Sequence, residues 1–553
     1  MNAMQQLIEL DAVARLRAQD ATLFGDDPAD IELASASLGW TDLAERGSSV
    51  LRELHRLAAS AADEGVTDVV LLGMGGSSLA SLVLSSVLGE SGDATLHVLD
   101  TTAPRTIDAA LVSLYPASTL YVVASKSGGT IEPNALYSIF REVADQALGR
   151  DGAGQRFVAI TDPGSALEAL AASDGFRALV SSPPTVGGRF SAMTVFGLVP
   201  AALAGLDVDV LLQRAFAMES ACSLPAAENP AAQLAAFIAE AASAGKDKLT
   251  VVASPALASF GLWVEQLVAE SLGKQGRGVV PVVELSADRP QGYGSDRAVV
   301  IVRLEGDQRL AEWAEQLAQD SPMIELVLRD GYDVAAEWTR WEHAVALLGP
   351  LLGVNPFGQP NVQAAKDATS AALAEELLVP TPQVETPEGA AITFAGALSV
   401  PGHAEHNLAD ALGHALAALR PHDYLAVLAY LPDDDLLLAP LVEAVPRVSA
   451  ELSLAVTLEL GPRYLHSTGQ LHKGGPNTGV FILVTTRDHA DAPVPGRSWS
   501  LRTLHRAQAE GDLSTLVSAG RRVLRVDLPD ATCESVTAFA RALMDATGVA
   551  WEA

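Results

Sequence analysis

Short, uninterrupted apolar runs recur along this chain, and most are followed by a longer segment in which apolar residues return every three or four positions. VTDVVLLG at 66–73 passes through the Gly-rich turn MGGSS into the helical LASLVLSSVL. TLHVLDTT at 95–102, TLYVVASKSGGT at 119–130 and RFVAITDPGS at 156–165 repeat the strand pattern, with the helical IEPNALYSIFREVADQAL between the last two. Continuous apolar strands alternating with amphipathic helices predict a parallel sheet covered on both faces.

The pattern restarts at KLTVVAS (248–254), passes through a helix from Trp263 to Leu272, and continues in GVVPVVEL and AVVIVRL before a long helix ending near Leu352. The Pro-rich LLVPTPQVETPEG at 377–389 reads as a linker, and beyond it DYLAVLAYL, LSLAVTLEL, VFILVTT and RRVLRVDL are strands separated by helical segments. The expected fold class is therefore α/β, with several packed units of parallel sheet flanked by helices. A chain of 553 residues exceeds what one core usually supports. The divisions expected are 1–220, comprising N-terminal helices and the first α/β domain, 221–376, and a C-terminal α/β region at 377–553.

Charge narrows the function. Acids outnumber bases 68 to 36, and the net charge of -32 argues against nucleic acid or an anionic membrane as partner. Any anionic ligand must be met by a local concentration of donors. The N-terminus lacks a cationic stretch followed by an apolar run, so no secretory signal is read there. No segment is apolar enough to read as a membrane span. Cys222 and Cys533 form no framework, which suits a reducing compartment, and a cytoplasmic location is expected. Only six lysines occur: Lys126, Lys246, Lys248, Lys274, Lys366 and Lys473. With arginine as the general cation, a lysine in a loop can be there for its compact, hydrogen-bonding ammonium.

Two loops follow strands of the first unit with phosphate-binding chemistry. Gly73-Met74-Gly75-Gly76-Ser77-Ser78 lets backbone approach closely, and Ser125-Lys126-Ser127-Gly128-Gly129-Thr130 offers three hydroxyls and an ammonium. Helix starts beyond strand carboxyl ends present free N–H groups to anions. Neither loop has a dinucleotide or P-loop spacing, and each alone could be a tight connection. Val186-Gly187-Gly188-Arg189-Phe190-Ser191 could aim a guanidinium at a ligand or form an ordinary turn. Glu270, near the end of an apolar helix, could serve as a general base or sit solvated at the helix end. NPFGQPNVQAAK at 355–366 places Lys366 on a helix after a turn, and HSTGQLHKGG at 466–475 sets two histidines and a lysine in a polar loop, structural or suited to proton transfer. No His, Cys and acid spacing suggests a metal site.

Taken together these segments resemble the phosphoglucose isomerase family, built from sugar-isomerase (SIS) domains. GMGGSS resembles its G-I-G-G-S loop, SKSGGT its S-K-T-x-x-T loop, VGGRFS its V-G-G-R-[FY]-S segment, AESLGK its M-E-S-N-G-K signature, and NPFGQPNVQAAK its N-P-F-D-Q-x-G-V-x-x-x-K segment. The resemblance implies reversible interconversion of glucose 6-phosphate and fructose 6-phosphate through a metal-free cis-enediol, without a cofactor. It implies that Ser77, Ser125, Lys126, Ser127 and Thr130 bind phosphate, and that Gly188, Gln359 and Lys366 line the sugar site, Lys366 acting near the ring oxygen. Glu270 would move the proton between C2 and C1, Arg189 would stabilise the enediolate, and His466, with His472 as competitor, would open the ring.

HSTGQLHKG follows the NPF segment, whereas the family usually places it before. That order resembles the isomerase half of transaldolase–isomerase fusions. Leu272 replaces an asparagine and Gly128-Gly129 a bulkier pair, which leaves sugar preference open. A SIS-fold isomerase of broader substrate range and a non-catalytic sugar-phosphate sensor are the other readings, and a homodimer is expected by resemblance alone.

Overall fold

The computed structural model describes residues 2–43, 48–89, 92–285, 293–319, 321–374, 381–400, 407–488 and 490–548. The first sheet contains β1 (Asp68–Leu72), β2 (Thr95–Leu99), β3 (Thr119–Ala124), β4 (Phe157–Thr161) and β5 (Ala178–Ser181), ordered β2-β1-β3-β4-β5. All its pairings are parallel. Every residue of β3 and β4 is buried, as continuous apolar runs require when helices cover both faces. Those helices include α1 (Leu79–Leu88), α2 (Pro104–Ser113) and α3 (Ile131–Gly154).

A second parallel sheet holds β6 (Lys248–Ala253), β7 (Val280–Val283), β8 (Arg297–Leu304) and β9 (Met323–Leu328) in the order β7-β6-β8-β9. Three helices accompany it: α4 (Phe260–Leu272), α5 (Val334–Leu352) and α6 (Pro360–Leu373). One hydrophobic core, running from Ala3 to Phe357, joins these two sheets.

The third sheet is mixed, with β10 (Val384–Glu385), β11 (Ala391–Gly396), β12 (Tyr424–Ala429), β13 (Ala455–Leu460), β14 (Gly479–Thr486) and β15 (Arg522–Leu528). Its order is β10-β11-β15-β14-β12-β13, with β10 and β11 antiparallel to their neighbours. This region has its own core, from Ala390 to Met544. Two of its helices matter below, α7 (Gly469–Gly474) and α8 (Leu501–Ser518). The stretch read as a linker is in part the edge strand β10, whose backbone bonds are met by β11; residues 375–380 lie outside the described residues.

The segment read as a polar loop is also corrected. Residues 463–466 form a 3₁₀ turn and 469–474 the helix α7, in which Gly469, Gln470, Leu471, His472 and Lys473 are all buried. The polar groups find partners within the protein, which is what makes their burial tolerable. Lys473 pairs with Asp512 at 2.5 Å, and Gln470 Nε2 donates to the Gly273 carbonyl at 3.0 Å and to Asn361 Oδ1 at 2.9 Å.

Candidate active site

The glycines of the first loop are required by what lies against them. A Cβ on Gly76 would stand 2.2 Å from the Gly188 carbonyl carbon, and one on Gly75, where φ is +57°, would stand 2.8 Å from His466 Cβ. Ser191 Oγ lies 3.1 Å from the Gly76 carbonyl oxygen and 2.5 Å from that of Gly188, joining the two glycine loops. The bare backbone of Gly75-Gly76 thus lets residues 187–191 and the His466 segment close on it from different sides. Gly76→Ala is expected to cost about 1–3 kcal/mol of stability, as overpacking does, and to depress turnover; an unchanged urea midpoint and rate would show that the loops part freely.

Arg189, whose backbone lies against Gly76, belongs to a buried ionic cluster. Arg189 Nη1 is 3.0 Å from Glu270 Oε1 and donates to Gln359 Oε1 at 2.7 Å. Its Nη2 donates to the Pro356 carbonyl at 2.5 Å and the Gly358 carbonyl at 3.4 Å, and Nε donates to Ser271 Oγ at 2.7 Å. The guanidinium is therefore held in place by α4 and the turn leading into α6, so its geometry does not depend on Glu270 alone.

Lys274, also buried, donates to the Asn355 carbonyl at 2.8 Å and to that of Gly358. Burial, then the Arg189 charge, bring its amine down to about 6 against the partial opposition of Glu270 and Asp30. Near neutral pH the uncharged amine, with two N–H donors, suits two carbonyl acceptors, and Arg189 is left as the cation on Glu270. Because the unfolded chain holds this proton up to the ordinary 10.5, the unfolded state binds more protons between the two values, and stability rises with pH across that interval. Wild-type unfolding free energy, measured by urea titration relative to Lys274→Met, is expected to climb between about pH 6 and 10. Parallel pH profiles would refute the depressed amine.

A cavity of about 310 Å³ is lined by Ser127, Thr130, Glu132, Lys366, His466 and Gln508, among others. His466 Nε2 lies 3.0 Å from Glu132 Oε1, and Gln508 Nε2 donates to the same oxygen at 2.7 Å. The carboxylate can only accept, so Nε2 carries a proton toward it, which leaves Nδ1 as the nitrogen able to exchange a proton. Burial raises the Glu132 carboxyl, but the charge and hydrogen bond of His466, with Lys366 beyond, bring it net below the ordinary glutamate value. The His466 segment is fastened to the first sheet of the same chain. Arg463 bonds both Asp100 oxygens at 2.7–3.0 Å, and Gln266 Nε2 donates to the His466 carbonyl at 2.6 Å.

The predicted residues divide accordingly. Ser127, Thr130, Lys366 and His466 line the cavity, while Arg189, Gln359 and Glu270 form the buried cluster, and Gly188 lies against Gly76. Ser77, Ser125 and Lys126 are not lining residues. Ser125 Oγ donates to Thr130 Oγ1 at 3.0 Å, and Lys126 reaches Asp162 at 2.6 Å and the Pro184 carbonyl at 3.1 Å. His472 is buried between Tyr424 and Phe481, with Nε2 3.4 Å from Glu459, and faces no described cavity of this site.

The family described as phosphoglucose isomerase matches residues 56–284. A glucose-6-phosphate isomerase of Synechococcus sp. is 33% identical over 380 residues, covering 60% of this chain and 71% of that protein. The chain belongs to the phosphoglucose isomerase family. A glucose-6-phosphate isomerase of Rubrobacter xylanophilus is 29% identical over 416 residues, covering 66% of this chain and 93% of its own length. Among solved structures, a hypothetical protein of Thermus thermophilus matches with a TM-score of 0.58 and 29% identity, over 67% of this chain and 96% of that one. A glucose-6-phosphate isomerase of Chlamydia trachomatis matches with a TM-score of 0.57 over 68% and 85%; at 19% identity it bears on fold alone. These phosphoglucose isomerase relatives each leave part of this chain uncovered.

Sequence reasoning missed Glu132 and Gln508. Glu132 is the second residue of α3, directly after SKSGGT, where an acid is ordinarily read as a complement to the helix dipole. Its burial was the missing signal. Gln508 is separated from Glu132 by 376 residues, a pairing no local pattern reveals.

Proposed function

We propose that the protein interconverts glucose 6-phosphate and fructose 6-phosphate. The observation that carries this reading is that a His–Glu pair and a hydroxyl-lined cavity share a glycine loop with a buried Arg–Glu pair. The phosphate is anchored at Ser127, Thr130 and the N-terminus of α3, where backbone N–H groups and the helix dipole favour an anion. Ser125 supports Thr130 from behind, and Lys126, braced by Asp162, fixes the loop's course.

His466 exchanges a proton with the ring oxygen through Nδ1 while Glu132 holds the opposite nitrogen and stabilises the charge that develops, and Lys366 assists from the facing wall. With the ring open, Glu270 takes the proton from C2 or C1 and returns it to the other carbon. Arg189 supplies a fixed positive field for the enediolate, which costs no reorganisation as charge develops. Binding energy at the phosphate is thereby used to orient the reacting carbons.

A coupled assay of the purified protein with fructose 6-phosphate, run with a chelator present, tests this. Chelator-resistant formation of glucose 6-phosphate is the expected result, and absence of turnover with sugar phosphate still bound would favour the sensor reading.

A further inference from the structure

A second cavity, lined by arginines, plays no part in this mechanism. It measures about 500 Å³ and lies between the start of α2, at Ala103–Arg105, and the third sheet. It opens at the carboxyl ends of β12, β14 and β15, where Tyr430, Thr485, Thr486 and Asp527 sit. That edge is where ligands of α/β sheets bind, and junctions between units are favoured sites.

Its walls run against the charge of the chain. Although acids outnumber bases 68 to 36 overall, this cavity gathers Arg105, Arg487, Arg502, Arg506 and Arg525. Four are braced by acids: Arg105 by Asp488 at 2.6 Å, Arg487 by Glu385 at 3.3 Å, Arg506 by Glu510 at 2.6 Å and Arg525 by Asp527 at 2.7 Å. Arg502 makes no ion pair among the described residues, so the lining keeps a positive excess. A braced guanidinium still has N–H donors to spare, and its planar fork matches phosphate oxygens. Pro104, Pro432 and Ala531 supply an apolar wall, and the volume exceeds the 310 Å³ of the catalytic cavity. Both features suit an organic phosphate rather than the bare anion.

Helix α8 is shared by the two cavities. Arg502, His505 and Arg506 face the arginine-lined one, and Gln508 faces the catalytic one. Thr102 Oγ1 donates to Gln508 Oε1 at 2.7 Å, so it accepts from His505 Nδ1 at 3.0 Å. Gln508 in turn donates to Glu132, the partner of His466. An unbroken series of hydrogen bonds thus runs from the wall of one cavity to the proton-transferring pair of the other. The same helix packs on α6, where a Cβ on Gly511 would stand 2.8 Å from the Thr369 backbone nitrogen.

We propose that the arginine-lined cavity is an effector site for a small phosphate monoester, and that its occupancy alters turnover through Thr102 and Gln508 as positioning residues. The coupling half rests on the catalytic reading given above; the binding half does not.

Titration calorimetry of the full chain with glycerol 3-phosphate tests binding. The wild type is expected to bind one equivalent per chain more than the double variant Arg502→Glu/Arg506→Glu, which makes two against one when the catalytic cavity also takes the ester. Both side chains are exposed, so the variant should fold and keep its basal kcat and KM. Equal stoichiometry in both proteins overturns the site, and inorganic phosphate binding as tightly as the ester overturns the ester assignment. Coupling is read from initial rates at saturating fructose 6-phosphate, where competition in the catalytic cavity drops out. A kcat change of about fivefold is expected in the wild type, and none in the double variant or in Thr102→Val, which should still bind two equivalents. A response surviving in Thr102→Val overturns the relay. A wild type that binds two equivalents but isomerises nothing overturns the catalytic reading and leaves the anion site standing.

Discussion

Glu270→Gln is expected to lower kcat by about 10²–10⁴-fold while leaving the affinity for fructose 6-phosphate within a few-fold of wild type. The phosphate anchor proposed at Ser127 and Thr130 precedes α3, whereas Glu270 is on α4, so binding and proton transfer are supplied by different elements. Glutamine preserves volume and can still accept from Arg189 Nη1, which keeps its bonds to Gln359, Pro356, Gly358 and Ser271. The guanidinium is thus not left unsatisfied, and the variant should fold. Single-turnover kinetics paired with equilibrium binding separates the outcomes. A collapse of binding together with rate would make Glu270 a structural anchor for Arg189, and an unchanged rate would remove it from the chemistry. A further sign of the proposed role is exchange of the C2 proton with solvent, which should fall in step with kcat.

The parts of the fold legible in the sequence are those where physics leaves one solution. β1, β3 and β6 are interior strands of parallel sheets, and helices on both faces make them continuous apolar runs. The edge strands β5 and β9 were not predicted. Their exposure alternates or is partial along MIELVL and ALVS, so nothing distinguishes them from loop on pattern alone. β11 was missed for another reason. It follows a Pro-rich stretch and pairs antiparallel with β15, about 130 residues on, a partner that local periodicity cannot name. The site divides the same way. Arg189, Glu270 and Lys366 stand out because each lies in a compact motif, but Glu132 acquires meaning only from its bond to His466, and Gln508 only from its bond to Glu132. The 466–475 segment reads as a loop because polarity alone suggests exposure, whereas Lys473 and Gln470 use their charge and hydrogen-bonding capacity inside the protein.

His466→Ala is expected to slow isomerisation of ring-closed fructose 6-phosphate by roughly 10²-fold, and to slow an analogue lacking the ring-closing hydroxyl, 5-deoxyfructose 6-phosphate, far less. Ring opening is needed only for the first substrate, whereas the enediol step proposed for Glu270 and Arg189 is common to both. Glu132→Gln should reproduce this split in weaker form, because it removes the charge that orients and stabilises the imidazole but leaves the ring in place. Equal losses on both substrates would mean that the histidine supports the glycine loop through its contact with Gly75 and takes no part in ring opening. The pH profile supplies an independent check. Burial notwithstanding, His466 holds the Glu132 carboxyl below its ordinary value, so the folded state binds that proton more weakly than the unfolded chain. The stabilisation is therefore complete above the ordinary glutamate range and is lost as pH falls through the lowered folded value. Wild type should lose stability relative to Glu132→Gln on acidification through that interval, and the ring-closed rate should fall with it while the open-chain rate holds. Because Arg463 ties the His466 segment to Asp100 of the same chain, this split should persist at protein dilutions where any oligomer has dissociated; its loss on dilution would place the working histidine in a partner subunit instead.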